Sequence, residues 1–214
     1  MILNKELQQG SIEWFEIKWG KIGGTASKGL HTKGDTLFID LLSQHLEEFE
    51  PSDSYKSEAM EMGNDLEPFA VEYVEKYTGY KFEAFGWLQS EENELLGISP
   101  DGLTEDLKVA VETKCFRRKK HTEILYTNKI PLENIHQLCH YFTVNPKLEK
   151  IYFCAFRPES IKNFVQELTL ESEVNIGTNA RPKLMPIKDV VKLSLQFANE
   201  LLLKINNNKE SLKF

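Results

Sequence analysis

The chain has 214 residues, 41% hydrophobic and 28% charged, which suits one sizeable domain with a buried core spanning residues 1–214. No apolar run reaches the roughly 18 residues of a membrane span, and the opening MILNKELQQGSIEWF lacks the apolar centre of a signal peptide, so a cytosolic protein without membrane contact is expected. The formal net charge of −7 excludes a protein that coats nucleic acid by bulk charge, but it allows a local basic channel and a carboxylate cluster.

In chain order, Ser11 is placed to cap a short helix carrying Trp14, Phe15 and Lys18. GKIGGTASKG follows as a glycine-rich turn region, then an amphipathic helix over 35–49 and a loop over 49–56. Apolar residues at three-to-four spacing predict a helix from Ser57 to Tyr77. Pro68 is expected to kink it or begin a new helical segment, and Gly79 to cap it. Strand-like runs at 81–90, 94–98 and 108–115, separated by SEEN and SPDGLTEDL, predict a β-meander. A helix over 132–144, strands over 149–156 and 163–171, a loop over 175–184 and an amphipathic helix over 186–206 complete the chain. The pattern is α/β or α+β: a mixed central sheet flanked by helices.

The chemistry concentrates in SPDGL and VETKC. In KVAVETKC, alternation puts Val109, Val111 and Thr113 on one face, and Ala110, Glu112 and Lys114 on the other. The valine face is the core face. Pro100 and Gly102 shape the turn that carries Asp101; if 94–98 pairs with 108–115, Asp101 comes near the end of the Glu112 strand. Two carboxylates this close repel, and a hard divalent cation removes that penalty. The cation lowers the pKa of a bound water and offsets charge on a phosphoryl oxygen, while Lys114 orients the water or meets the developing charge. This set suits phosphodiester hydrolysis. Read blandly, it is a surface Glu–Lys pair beside a turn, because motifs this short are common.

SPDGL followed by VETKC resembles the PD-(D/E)xK nuclease core, as found in restriction endonucleases and, more fully, in the lambda exonuclease and YqaJ-type viral recombinase family. WFEIKWGKIGGTAS at 14–27, MGNDLEPFA at 62–70 and IHQLCHYF at 135–142 match further segments of that family in order, so the resemblance spans roughly 14–156. It implies Asp101, Glu112, the Thr113 carbonyl and Glu67 as ligands of two Mg2+ ions, with Mn2+ able to substitute. It also implies Lys114 as the catalytic lysine, with Gln137 holding the lysine or the water. Lys18, Thr25 and Ser27 fall in the segment that meets a DNA 5′-phosphate. Here the family's arginine becomes Lys18, and two extra residues separate it from Thr-Ala-Ser. Lysine binds phosphate as a point charge without the bidentate fork.

The resemblance further implies a 5′-to-3′ exonuclease that digests one strand of linear double-stranded DNA and leaves 3′ overhangs for single-strand annealing recombination. It would act as a trimeric ring, alongside an annealing protein, in the host cytoplasm if phage-encoded. The alternatives are an endonuclease of the same superfamily and a non-catalytic DNA-binding module. Arg117 and Arg118 in RRKKH, directly after the catalytic strand, are candidates for backbone phosphates. His136 and His140 are four apart, as zinc ligands can be, but lack an evident third ligand; they are read as a helix face near the DNA path. Cys115, Cys139 and Cys154 form no CxxC pair, and Cys115 is read as a small buried residue. Trp14 and Trp19 belong either to the core or to the DNA path.

Overall fold

Helices and short strands alternate along the chain in a computed structural model, which describes residues 2–50 and 58–212, the side chains of 58–64 excepted. In order they are β1 (Ile2–Asn4), α1 (Ile12–Lys18), a 3-10 helix (Ala26–His31), α2 (Thr36–Leu46) and α3 (Glu58–Thr78). Then come β2 (Trp87–Gln89), β3 (Gly97–Ile98), β4 (Gly102–Leu103), β5 (Val109–Cys115), α4 (Arg118–Thr127) and α5 (Leu132–Val144). The last are β6 (Lys150–Phe156), β7 (Phe164–Thr169), β8 (Glu173–Asn175), β9 (Leu184–Pro186) and α6 (Ile187–Leu212).

The central sheet has the order β4-β5-β6-β7. β5 and β6 are parallel and the other pairs antiparallel. A parallel pair needs a crossover, and α4 and α5 supply it. Both faces of β5 and β6 are covered. Val109, Val111, Tyr152, Cys154 and Phe156 pack against Ala70 and Val74 of α3. On the other face Ala110, Ile151, Phe153 and Ala155 join the larger core with Leu138 and Phe142 of α5 and Val190 and Ala198 of α6. The result is a mixed α/β fold in which helices flank a central mixed sheet.

Local signals explain several boundaries. The Ser11 hydroxyl accepts from the Trp14 N–H at 3.2 Å and caps α1. Gly79 ends α3 at φ +80°, a conformation that suits glycine. Other boundaries differ from expectation. Of the two outcomes expected at Pro68, a kink or a new helical segment, the second does not occur: Pro68 lies inside one continuous α3. The meander is divided between two sheets. β3 pairs with β2 in a separate sheet ordered β1-β2-β3, and among the described residues of the meander only the two of β4 pair with β5. The 94–98 run therefore does not pair with 108–115. The expected loop at 175–184 is enclosed by a β8–β9 hairpin, and α6 continues to Leu212. RRKKH, read as a charge run, leads into α4, with His121 buried against the Ala155 carbonyl at 3.2 Å. Beyond residue 50 the loop expected at 49–56, and the helix start at Ser57, lie outside the described residues. Among the described residues no helix is long and apolar enough to cross a membrane.

Gly102 is required for space. A Cβ there would lie 2.8 Å from the Phe82 Cβ and 2.9 Å from the Val111 Cγ1, and its φ is not left-handed. It lets β4 lie flat on β5 beneath Phe82. Gly102→Ala is expected to destabilise the fold by about 1–3 kcal/mol through overpacking, measured by denaturant unfolding.

Candidate active site

Register builds the centre of the site. Gly102 faces Val111 and Leu103 faces Ala110 across the antiparallel β4–β5 pair. One step back along this ladder, Asp101 comes opposite Glu112. Its Oδ2 accepts from the Thr113 N–H at 2.6 Å and from the Thr113 hydroxyl at 3.0 Å. The preceding turn is held from outside. The Ser99 hydroxyl donates to the Gly86 carbonyl at 2.7 Å, and the Trp14 Nε1–H donates to Ser99 Oγ at 2.8 Å. Gln9 Nε2 donates to the Pro100 carbonyl at 3.2 Å.

Glu112 has no solvent exposure. Its Oε1 accepts from Lys114 Nζ and, at 2.7 Å, from Gln137 Nε2. Its Oε2 accepts from the Tyr141 hydroxyl at 2.5 Å. A buried carboxylate is tolerable only when donors and a counter-charge replace its water, and these three side chains do so. Gln137 and Tyr141 are four apart on α5 and so share one face. Tyr141 was not singled out by the sequence reading, although its spacing from Gln137 is the signal that finds it.

Glu67 of α3 completes an acidic group around one ammonium. Its pKa is raised by burial and by Glu112, with Lys114 opposing. Asp101 keeps a little solvent contact but lies among densely packed atoms; burial, Glu112 and Glu67 raise its pKa well above its ordinary value. For Lys114, burial disfavours the charge, but Glu112 and Asp101 outweigh it and raise the pKa. Burial pushes the Cys115 thiol up to about 11, so it is an un-ionised thiol beside the site.

These acids offer only oxygen, the donor a hard divalent cation takes, and the repulsion among them is the penalty such a cation relieves. Among the described residues no three His, Cys, Asp or Glu side chains are arranged to hold an ion. Asp101 is turned to Thr113, and Glu112 to Lys114, Gln137 and Tyr141. Chemically the set fits; the side chains as placed are hydrogen-bonded to protein donors.

The glycine-rich turn lies directly beside this centre. A Cβ on Gly24 would come within 2.8 Å of the Gln137 Cγ. Ser27 is buried, and its hydroxyl donates to the Gly24 carbonyl at 2.6 Å, while Thr25 is exposed. The half-buried Lys18 has its Nζ 3.3 Å from the Trp14 ring centroid, and burial lowers its pKa to about 8. Trp14 thus links Lys18 to the turn before Asp101. Trp19 instead donates to the Gln44 carbonyl at 2.7 Å. Arg117 and Arg118 are exposed, just beyond the end of β5.

The histidines depart from their expected place. His136 and His140 are buried and form no face for DNA. His136 stacks on His31 at 5.2 Å between centroids, and His31 reaches Ser194 of α6 at 2.9 Å. His140 Nε2 lies 3.0 Å from each of the carbonyls of Ile22 and Gly97.

A family model described as the YqaJ-like viral recombinase domain matches residues 13–147. No curated protein matches the chain in sequence. Among solved structures, an alkaline exonuclease (LHK-Exo) from Laribacter hongkongensis superposes with a TM-score of 0.70 at 22% identity, covering 94% of this chain and 97% of that one. The same protein in complex with dAMP gives the same values. A phage-related exonuclease from Haemophilus somnus 129PT gives a TM-score of 0.53 at 12% identity, over 88% of this chain and 96% of the other. At these identities the likeness is one of fold.

Asp101 and Glu67 hold their protons to higher pH in the folded chain than in the unfolded one, so the folded state binds more protons above about pH 4 and loses stability as pH rises through the raised pKa values. Asp101→Asn keeps an oxygen to accept from Thr113 and removes one charge. In the presence of a chelator it is expected to melt above the parent at about pH 8 and to lose that advantage near pH 4, as measured by thermal denaturation across that range.

Proposed function

The chain belongs to the YqaJ-like viral recombinase domain family, and from that membership and the geometry around Glu112 we propose that it is a metal-dependent deoxyribonuclease. Residues 1–214 would act as one nuclease domain, degrading one strand of linear double-stranded DNA from its 5′ end and leaving 3′ overhangs for single-strand annealing recombination. The observation that carries this reading is the fully buried Glu112, bonded to Lys114 and faced by Asp101 across the β4–β5 ladder. A surface Glu–Lys pair has no reason to be sealed from water, whereas a phosphodiester hydrolase needs these charges dry and fixed. The exonuclease descriptions of the similar structures support the same class.

In this reading Asp101, Glu112, the Thr113 carbonyl and Glu67 hold two Mg2+ ions, or Mn2+ in their place. Such ions supply a bound water of lowered pKa and offset charge on the phosphoryl oxygens. Lys114 stands where its ammonium can orient the attacking water or meet the developing negative charge. Gln137 keeps the Lys114–Glu112 pair aligned from α5. Lys18, Thr25 and Ser27 receive the 5′-phosphate, and Arg117 and Arg118 hold backbone phosphates as the duplex arrives. Assembly as a trimeric ring around DNA would let an acidic chain remain on its substrate by enclosure, and an annealing protein would take the 3′ strand it exposes.

The direct test is nucleotide release from linear duplex with and without Mg2+, against a circular control. Glu112→Gln and Lys114→Met are each expected to lower the rate at least about 100-fold. Cutting of the circle would indicate an endonuclease, unchanged DNA binding without any cutting a binding module, and no release from any linear substrate would overturn the proposal.

Lys18 adds a pH signature. Its ammonium is present below its pKa of about 8 and lost above it. Preference for 5′-phosphoryl over 5′-hydroxyl ends is therefore expected to fade as pH rises through about 8, and to persist in Lys18→Arg, because a guanidinium stays charged there. Paired digestion rates on the two ends across that range measure it.

A further inference from the structure

His140 is buried to 1% exposure, carries no proton-transfer role in the site described, and is placed where three segments meet. Its Nε2 lies 3.0 Å from the Ile22 carbonyl and 3.0 Å from the Gly97 carbonyl. Carbonyls only accept, so the nitrogen facing both must carry the proton and donate to the two as a shared bond. The other ring nitrogen, Nδ1, is buried without a partner among the described residues, which leaves the ring no reason to take the opposite tautomer. Burial lowers the pKa to about 4, so the ring stays neutral in ordinary buffers.

The two carbonyls belong to segments already in register with each other. Ile22 N–H donates to the Leu95 carbonyl at 2.6 Å, and Gly97 N–H donates to the Ile22 carbonyl at 3.1 Å. Two residues beyond Ile22 the chain reaches Gly24, where a Cβ would come within 2.8 Å of the Gln137 Cγ, so the turn lies close against Gln137. Four residues beyond Gly97 it reaches Asp101, across from Glu112. On α5, His140 is three residues from Gln137 and adjacent to Tyr141, the two helix donors to Glu112.

We infer that His140 is a positioning residue: its single Nε2–H fastens the glycine-rich turn and the Asp101 turn to α5, and so fixes the spacing between the turn proposed to receive the 5′-phosphate and the Asp101–Glu112–Lys114 centre. This rests on the nuclease reading of that site. Without the tie, the core can still close around an apolar side chain, but Gly24 is free to lift from Gln137, and the phosphate side of the site loses its distance from the cutting side.

The test compares His140→Leu, which fills the volume without a donor, with His140→Gln, whose amide N–H group reaches similarly far. On linear duplex with a 5′-phosphate, His140→Leu is expected to lose about 10–100-fold in kcat with a much smaller change in KM, the usual scale for residues that orient a site's ligands. It should also lose discrimination between 5′-phosphoryl and 5′-hydroxyl ends, and His140→Gln should recover most of both. Hydrogen–deuterium exchange supplies a readout independent of activity: segments 22–27 and 97–101 should lose protection in the leucine variant and regain it in the glutamine variant. Wild-type rates and protection in His140→Leu would overturn the inference. So would equal impairment of both variants in step with their melting temperatures, which marks packing alone. If the unmodified protein releases no nucleotides, the nuclease reading fails, and the exchange pattern alone decides whether the tie exists.

Discussion

A carboxylate with no exposure to water sets the terms for everything around it. Glu112 must find three donors inside the protein, one of them carrying the counter-charge, and no local stretch of chain offers them all. Lys114 comes from the same strand two residues on. Gln137 and Tyr141 must come from a helix laid across the strand, which places α5. That placement in turn fixes the crossover that brings β6 alongside β5. The fold can be described as the set of supports that one buried charge demands.

Around that point the molecule accepts an electrostatic imbalance. Asp101, Glu112 and Glu67 converge on one ammonium, and both Asp101 and Glu67 resist ionisation. A chain shaped only for stability would place an apolar side chain here. Concentrated repulsion in an otherwise well-packed core is the usual mark of a site kept for chemistry. Beyond Lys114, two further basic residues, Arg117 and Arg118, stand exposed just past the end of β5.

How much of this was legible in the sequence differs from segment to segment. Period-two alternation correctly put Glu112 and Lys114 on one face of a strand. Alternation alone leaves open whether that polar face is solvated, as the bland reading has it; the parallel neighbour is what covers the strand on both faces. The partner of β5 was misread. β4 is two residues long, too short for any periodic signal, and the longer run before it pairs elsewhere. Tyr141 was hidden among apolar residues of α5, where an aromatic is read as core, and His140 because its acceptors are backbone carbonyls at positions 22 and 97, which no local pattern announces. α4 escaped notice because its buried side, His121 and Ile124, is narrow beside its charges.

The parallel pairing of β5 with β6 also bears on when the site comes into being. Val109 is registered with Lys150, so the central strand gains this neighbour only after the chain has run through two helices and returned. Contacts of such separation form slowly, since the entropy of closing the loop is lost before the contact repays it. Asp101 can reach Glu112 through the short β4–β5 pairing alone, but Glu67, Gln137 and Tyr141 are carried by helices and do not meet Glu112 until α3 and α5 have docked on the sheet. A nascent or half-folded chain therefore holds all the reactive groups without their arrangement. The ability to act arrives with the last long-range contacts rather than with any one segment.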